Sequence, residues 1–281
     1  MEITKLTRPA RKLLKLKPCG AVIVAAGNAS RMGGVDKIMA DLGGKPVIRR
    51  TAESFQDCDA VKEIVVVTRQ DLIIPIGDLL HDLPKLRAVV AGGKTRQESV
   101  ALGLNALSEK TRLAAIHDGA RPLVTWQLID RVVRAANTYG AAAPAVPVKD
   151  TVKVVSGGLV ESTPDRAKLR AVQTPQVFDF DLLRGALKQA EGENLTDDCA
   201  AVEKLGMKVK IVEGAEENIK ITTPMDLKIA AMLLEGTVLE SDMAMMYTGW
   251  CPAGIWFLVG YTFPMSGDCW ATRTRMCCCT Q

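Results

Sequence analysis

The chain has 281 residues, 36 of them Lys or Arg and 32 Asp or Glu, for a formal net charge of +4, and 48% of its residues are hydrophobic. That length buries a substantial core in one large α/β domain or two modest ones. The composition excludes collagen-like, disordered and disulfide-scaffold proteins.

Residues 1–18 carry Lys5, Arg8, Arg11, Lys12, Lys15 and Lys17 against Glu2, whereas 19–236 hold 28 basic and 28 acidic residues. The net charge therefore belongs to a basic N-terminal arm, and the main domain offers no basic face for nucleic acid. The arm lacks the continuous apolar stretch of a secretory signal. A cytoplasmic protein with no membrane partner is expected, or a plastid one if the arm is a transit remnant.

From Gly20 the punctuation is regular. Gly20–Gly27, Lys62–Thr68, Arg87–Ala91 and Arg112–His117 are short apolar, β-branched runs of the kind that form buried parallel strands. Helical stretches near 46–56, 96–108 and 125–139 separate them. Strand and helix in alternation predict a doubly wound, mostly parallel, Rossmann-like sheet with helices on both faces. Ligands in such sheets bind in the crevice at the carboxyl ends of the strands, which gathers 25–37, 91–99 and 117–121 around one site.

After Pro144 the rhythm changes. Thr151–Thr163 reads as two short strands turned by Ser156-Gly157-Gly158, a β-hairpin protruding as an arm at about 147–170. Helices near 180–190 and 196–205 and strands at 208–213 and 218–222 follow, then a helix capped by Thr223 and Pro224 that Gly236 is expected to end. Residues 237–281 hold three of the four Trp and five of the eight Cys without helix or strand period, and read as an appendage lacking a fixed fold. Cys277, Cys278 and Cys279 are adjacent, with no second cluster at ligand spacing, so they assign no metal site.

Three segments could carry chemistry. In the first loop, Ala25-Ala26-Gly27 lets backbone N–H groups approach a phosphate chain, and Arg31 and Lys37 supply positive charge. Ala29 and Met32 stand where a dinucleotide fingerprint needs glycine. Gly93-Lys94-Thr95 resembles the end of a P-loop, but Ala88 replaces the upstream glycine; with Gly92, Arg96 and Ser99 it fits a loop that reads a base or ribose edge. In His117-Asp-Gly-Ala-Arg-Pro122, Asp118 could hold a metal or a sugar hydroxyl and Arg121 a phosphate. His117 reads as a packed strand-end residue. Lys220, at the end of Asn218-Ile-Lys, could bind phosphate beside the last helix.

Taken in order, Ala25-Ala-Gly with Arg31-Met-Gly and Lys37, His117–Pro122, Val148-Lys-Asp-Thr-Val152, Thr174-Pro-Gln176, Leu195-Thr-Asp-Asp198 and Asn218-Ile-Lys220 resemble the 2-C-methyl-D-erythritol 4-phosphate cytidylyltransferases, over about 19–236. Val24, Ala29 and Ile38 depart from residues common there. The resemblance implies a nucleotidyltransferase fold and attack of a polyol phosphate on the α-phosphorus of CTP, with Mg²⁺ bound mainly through the CTP phosphates and pyrophosphate leaving. It implies that Arg31 and Lys37 grip the triphosphate and that Lys220 stabilises charge around the α-phosphate. Ala25, Ala26, Gly27, Gly92, Gly93, Arg96, Ser99 and Ala120 would bind CTP, and Asp118, Arg121, Thr151 and Arg166 the polyol phosphate. Thr151 and Arg166 would reach over from a partner's arm in a homodimer. Two other readings stay open: a cytidylyltransferase for another polyol phosphate such as ribitol 5-phosphate, and a non-catalytic nucleotide-binding assembly module.

Overall fold

A computed structural model of the chain describes residues 15–27, 36–193, 195–246, 261–264 and 270–273. The chain divides into two units, Met1–Glu235 and Gly236–Gln281.

The first unit is built on one sheet. Its strands are β1 (Cys19–Ala25), then after a short antiparallel pair, β2 (Asp41–Leu42) with β3 (Lys45–Pro46), come β4 (Val61–Thr68), β5 (Leu86–Ala91), β6 (Leu113–Asp118) and β7 (Ala141–Pro147). The hairpin strands β8 (Val154–Ser156) and β9 (Leu159–Ser162) stand apart from it, and β10 (Arg170–Val172), β11 (Gln176–Asp179) and β12 (Lys210–Glu213) rejoin it. The helices are α1 (Val47–Gln56), α2 (Ile73–Leu80), α3 (Arg96–Ala106), α4 (Trp126–Tyr139), α5 (Phe180–Gln189), α6 (Asp198–Lys204) and α7 (Pro224–Met246).

β1 pairs in parallel with both β4 and β6, and β4 in parallel with β5. β11 runs antiparallel between β6 and β7. β10 and β11 lie end to end along one edge of β7, because Ala142 pairs with both Val177 and Lys210, and Ala145 with both Val172 and Glu213. The parallel β12 therefore occupies the other edge of β7.

Strand period two sorts the core into two layers. Ala21, Ile23, Ile64 and Val66 face α1, α2 and α4 through Phe55, Leu80 and Val132. Val22, Val65, Val67 and Ile116 face α3 and α5 through Val100, Leu104 and Leu183. Both faces are covered, so β1 carries a continuous apolar run rather than an alternating one. The expected doubly wound, mostly parallel sheet is the observed one.

The hairpin turns at Gly157 and Gly158, with φ of +58° and +82°. Two successive positive φ values make the two-residue turn whose twist suits paired strands, and glycine adopts them without strain. Every residue of 151–163 is exposed.

The structure corrects two expectations. Residues 218–222 form no strand; Asn218 is buried and Ile221 N–H donates to the Ala120 carbonyl at 2.8 Å, tying this irregular segment to the end of β6. α7 continues through Gly236 to Met246. A glycine costs a helix only about 1 kcal/mol, and Leu, Glu, Met and Ala follow it. In the second unit β13 (Tyr261–Pro264) and β14 (Trp270–Arg273) form an antiparallel pair. Among the described residues no helix is long and apolar enough to cross a membrane.

Candidate active site

The carboxyl ends of β1, β4, β5 and β6 open onto a cavity of about 490 Å³. Ala25, Ala26 and Gly27 follow β1 into it, Gly92 and Gly93 leave β5 there, and Arg96 and Ser99 open α3. Asp118 ends β6 and Ala120 lies in the turn that follows it, while Lys37 and Lys220 arrive from distant loops. Eleven residues separated by almost two hundred positions thus meet at one place, as the strand-end rule requires. Arg121 stands just behind, its Nε 3.7 Å from Asp118 Oδ2. Arg31 lies outside the described residues. Thr151 and Arg166 do not reach this cavity: both sit on the exposed arm, where the Arg166 guanidinium donates to the Lys149 carbonyl.

The loop after β5 is fixed by its own side chains. Thr95 caps α3 by accepting from Glu98 N–H, and the Glu98 carboxylate accepts from Lys94 N–H at 2.7 Å. Ser99 Oγ accepts from Gly93 N–H at 3.1 Å and donates to the Thr95 carbonyl at 2.9 Å. A Cβ on Gly92 would sit 2.5 Å from the Ala26 Cβ and 2.8 Å from Ser99 Oγ. Only glycine lets the first and second loops approach so closely.

Charge in the cavity centres on Asp118. Its Oδ2 pairs with Lys220 Nζ at 2.8 Å, and its Oδ1 lies 3.6 Å from Arg96. Burial alone would raise this carboxyl, but Lys220 and Arg96 outweigh that and hold it at about 2. It is ionised at neutral pH and partly neutralises the cations around it.

Arg96 is held from behind by Asp198, wholly buried, at 2.7 Å. Burial pushes the Asp198 carboxyl above its ordinary range despite the opposing pull of Arg96. Asp198 is itself set by Gln176, whose side-chain carbonyl accepts the N–H groups of Asp198 and Cys199, each at 3.1 Å. On the opposite wall Arg69, at the end of β4, pairs with Asp36 at 2.6 Å, and Asp36 also accepts from Ile38 N–H at 2.9 Å. Both residues flanking Lys37 are thereby anchored.

Sequence reasoning placed no function on Arg69, Asp198, Gln176 or Thr174. Arg69 directly follows a strand end, the same signal that marked Asp118. The other three lay in noted motifs, but their roles depend on contacts across the fold. Among the described residues no cluster of three His, Cys, Asp or Glu is arranged to hold a metal on its own.

Sheet order and a cavity of phosphate-binding character over the strand ends define an α/β nucleotidyltransferase. The family model described as IspD: 2-C-methyl-D-erythritol 4-phosphate cytidylyltransferase matches residues 19–236, and the chain belongs to that family. The enzyme of that name from Dehalococcoides mccartyi (strain ATCC BAA-2266 / KCTC 15142 / 195) is 47% identical over 219 residues, 77% of this chain and 96% of its own. That from Desulforamulus reducens is 47% identical over 226 residues, covering 76% and 95%. Among solved structures, the 4-diphosphocytidyl-2C-methyl-D-erythritol synthase of Anaerococcus prevotii superposes with a TM-score of 0.71 at 32% identity, over 78% of this chain and 96% of its own. The Thermus thermophilus cytidylyltransferase gives 0.63 at 35%, over 76% and 98%.

Proposed function

We propose that this chain transfers CMP from CTP to 2-C-methyl-D-erythritol 4-phosphate, a step of isoprenoid precursor synthesis, through the following division of labour. The nucleophile is an oxygen of the substrate's phosphate, already anionic at neutral pH, so no side chain need remove a proton. It attacks the α-phosphorus of CTP, a new P–O bond forms, and the bond to pyrophosphate breaks. The protein's task is to position the two phosphates in line and to stabilise the charge that develops between them.

Lys37 and Arg31 neutralise the triphosphate, and Lys220 serves the α-phosphate. The observation that most supports this is Lys220 held by Asp118 at 2.8 Å at the mouth of a cavity that also receives Lys37. A cation fixed before the substrate arrives needs little reorganisation as charge builds up. Backbone groups of 25–27 and 92–93, with Arg96, Ser99 and Ala120, hold cytosine and ribose. Asp118 and Arg121 hold the polyol phosphate.

Mg²⁺ fits the donor set: it commonly takes one or two carboxylates and completes its shell with waters and substrate phosphates, and Asp118 is the one carboxylate among the described residues lining the cavity. When bound it would add neutralising charge to the triphosphate.

The arm supports a homodimer as the active unit. The cross-strand partners Val155 and Val160 are 55% and 58% exposed on one face of the hairpin and Leu159 is 77% exposed on the other, apolar side chains that a second copy could cover. Thr151 and Arg166, remote from their own chain's cavity, then serve the partner's. Buried free thiols at Cys19, Cys58 and Cys199 accord with a reducing cytoplasm. The test is product analysis after incubation with CTP, Mg²⁺ and 2-C-methyl-D-erythritol 4-phosphate: a cytidine diphosphate ester carrying the polyol is expected, and intact CTP refutes the assignment.

A further inference from the structure

One cation in the cavity wall has no part in the division of labour above. Arg69 directly follows β4, whose last residue, Thr68, pairs with Ala25 on one side and Ala91 on the other. The Arg69 backbone is therefore set by the sheet, and its carbonyl accepts from Leu72 N–H at 3.0 Å. Its guanidinium bridges two carboxylates. Nε and Nη2 donate to Asp71, two residues on, each at 3.2 Å. Nη2 also donates to Asp36 Oδ2 at 2.6 Å. A planar fork can serve two carboxylates at once in fixed directions, which a lysine ammonium on its flexible stem cannot.

Asp36 passes that anchorage to its neighbour. Its Oδ1 accepts from Ile38 N–H at 2.9 Å and its carbonyl accepts from Met39 N–H at 3.2 Å. Together these bonds close a turn over 36–39 with Lys37 at its first central position. The far side of the turn is fixed by the core: Ile38 is buried, and its carbonyl accepts from Ile48 N–H at 3.0 Å. The backbone beneath Lys37 is thus held to β4 on one side and to α1 on the other. Lys220 differs, since there the ammonium itself is gripped by a carboxylate.

We propose that Arg69 is a positioning residue: by tying Asp36 to the end of β4, it sets the turn from which Lys37 meets the triphosphate of CTP. This rests on the assignment of Lys37 to that triphosphate. The Arg69 and Asp36 side chains are 26% and 23% exposed, so the pair adds little to stability and its worth lies in geometry. A displacement of about 1 Å at a charge-bearing group can cost about a hundredfold in rate.

The test is calorimetric titration of the full chain with CTP and Mg²⁺ in four forms: wild type, Arg69→Met, Lys37→Ala and the double variant. Arg69→Met keeps an unbranched stem and removes the fork. It is expected to weaken CTP binding about tenfold, while KM for 2-C-methyl-D-erythritol 4-phosphate stays within about twofold. Added to Lys37→Ala, it should cost no more than about twofold further, because a residue acting through Lys37 then has nothing to act on. Asp36→Asn, which leaves an oxygen for Ile38 N–H and no charge for Arg69, should match Arg69→Met. Undiminished CTP affinity in Arg69→Met or Asp36→Asn overturns the proposal. Losses that multiply in the double variant, to about a hundredfold, also overturn it, since Arg69 would then act independently of Lys37. Unchanged CTP affinity in Lys37→Ala overturns the assignment of Lys37, and the proposal with it. If Arg69→Met does not fold, Asp36→Asn with and without Lys37→Ala decides by the same criterion.

Discussion

Acidification from pH 7 to pH 5 probes the buried imidazole of His117 through stability alone. Burial lowers the His117 pKa from its ordinary 6.5 to about 4 in the folded protein. In the unfolded chain the ring titrates near 6.5. Between those values the unfolded state binds a proton that the folded state does not, so falling pH favours unfolding. The stability contributed by the neutral ring is fully present above pH 6.5 and drains away as the pH drops through 6.5 towards 4. Within that window each pH unit is worth about 1.4 kcal/mol, so the step from pH 7 to pH 5 removes about 2 kcal/mol. The urea midpoint would fall by about 1 M. The lowered carboxylates Glu53, Glu63 and Asp226 lose their contributions mainly below pH 5. Asp198, raised by burial, works in the opposite direction. Urea melts of the wild type and of His117→Gln across pH 5–7 therefore isolate the imidazole: the gap between their stabilities should narrow by about 2 kcal/mol on acidification. Parallel curves would refute a neutral, buried His117.

Lys220→Ala should lower kcat by about 10²–10³, the usual loss for one preorganised charge-stabilising group. Asp118 is buried, but Arg96 and Arg121 stay beside its carboxylate when Lys220 is removed, so the melting temperature should fall by no more than a few degrees; an unchanged kcat, or a loss explained by unfolding, contradicts its role. Gly92→Ala forces a methyl against Ala26 and Ser99, and calorimetric titration should show CTP affinity reduced by about tenfold or more; undiminished affinity means the two loops do not form the nucleotide wall. Leu159→Asp, on the exposed arm, should leave the fold within about 0.5 kcal/mol of wild type yet halve the mass seen by light scattering. A persistent dimer would place the interface elsewhere.

The fold was legible where local chemistry and tertiary demand agree. The apolar run of β1 and the small residues after it announce a covered strand delivering a loop to the strand-end crevice, and Lys37, Arg96, Asp118 and Lys220 meet there. β7 was not legible: Ala141-Ala-Ala-Pro-Ala-Val-Pro147 has poor strand propensity, and it is a strand because β10, β11 and β12 flank it on both edges. α2 was hidden by Pro75 and Gly77. Residues 218–222 carry β-branched side chains but are held by Asn218 and the Ala120 carbonyl instead of a neighbouring strand. Residues that support one another across the fold are the hardest case. Thr174 and His117 stand 57 positions apart and Gln176 and Asp198 22 apart, so nothing local to either segment reveals that one supports the other. Reading His117 as a packed strand-end residue was right about its burial and silent about its bonds.

The most direct test of the whole account is pyrophosphate release with CTP and Mg²⁺, with 2-C-methyl-D-erythritol 4-phosphate and ribitol 5-phosphate offered in parallel. Turnover confined to the methylerythritol substrate is the predicted result. Preference for ribitol phosphate, or silence with both, would contradict it.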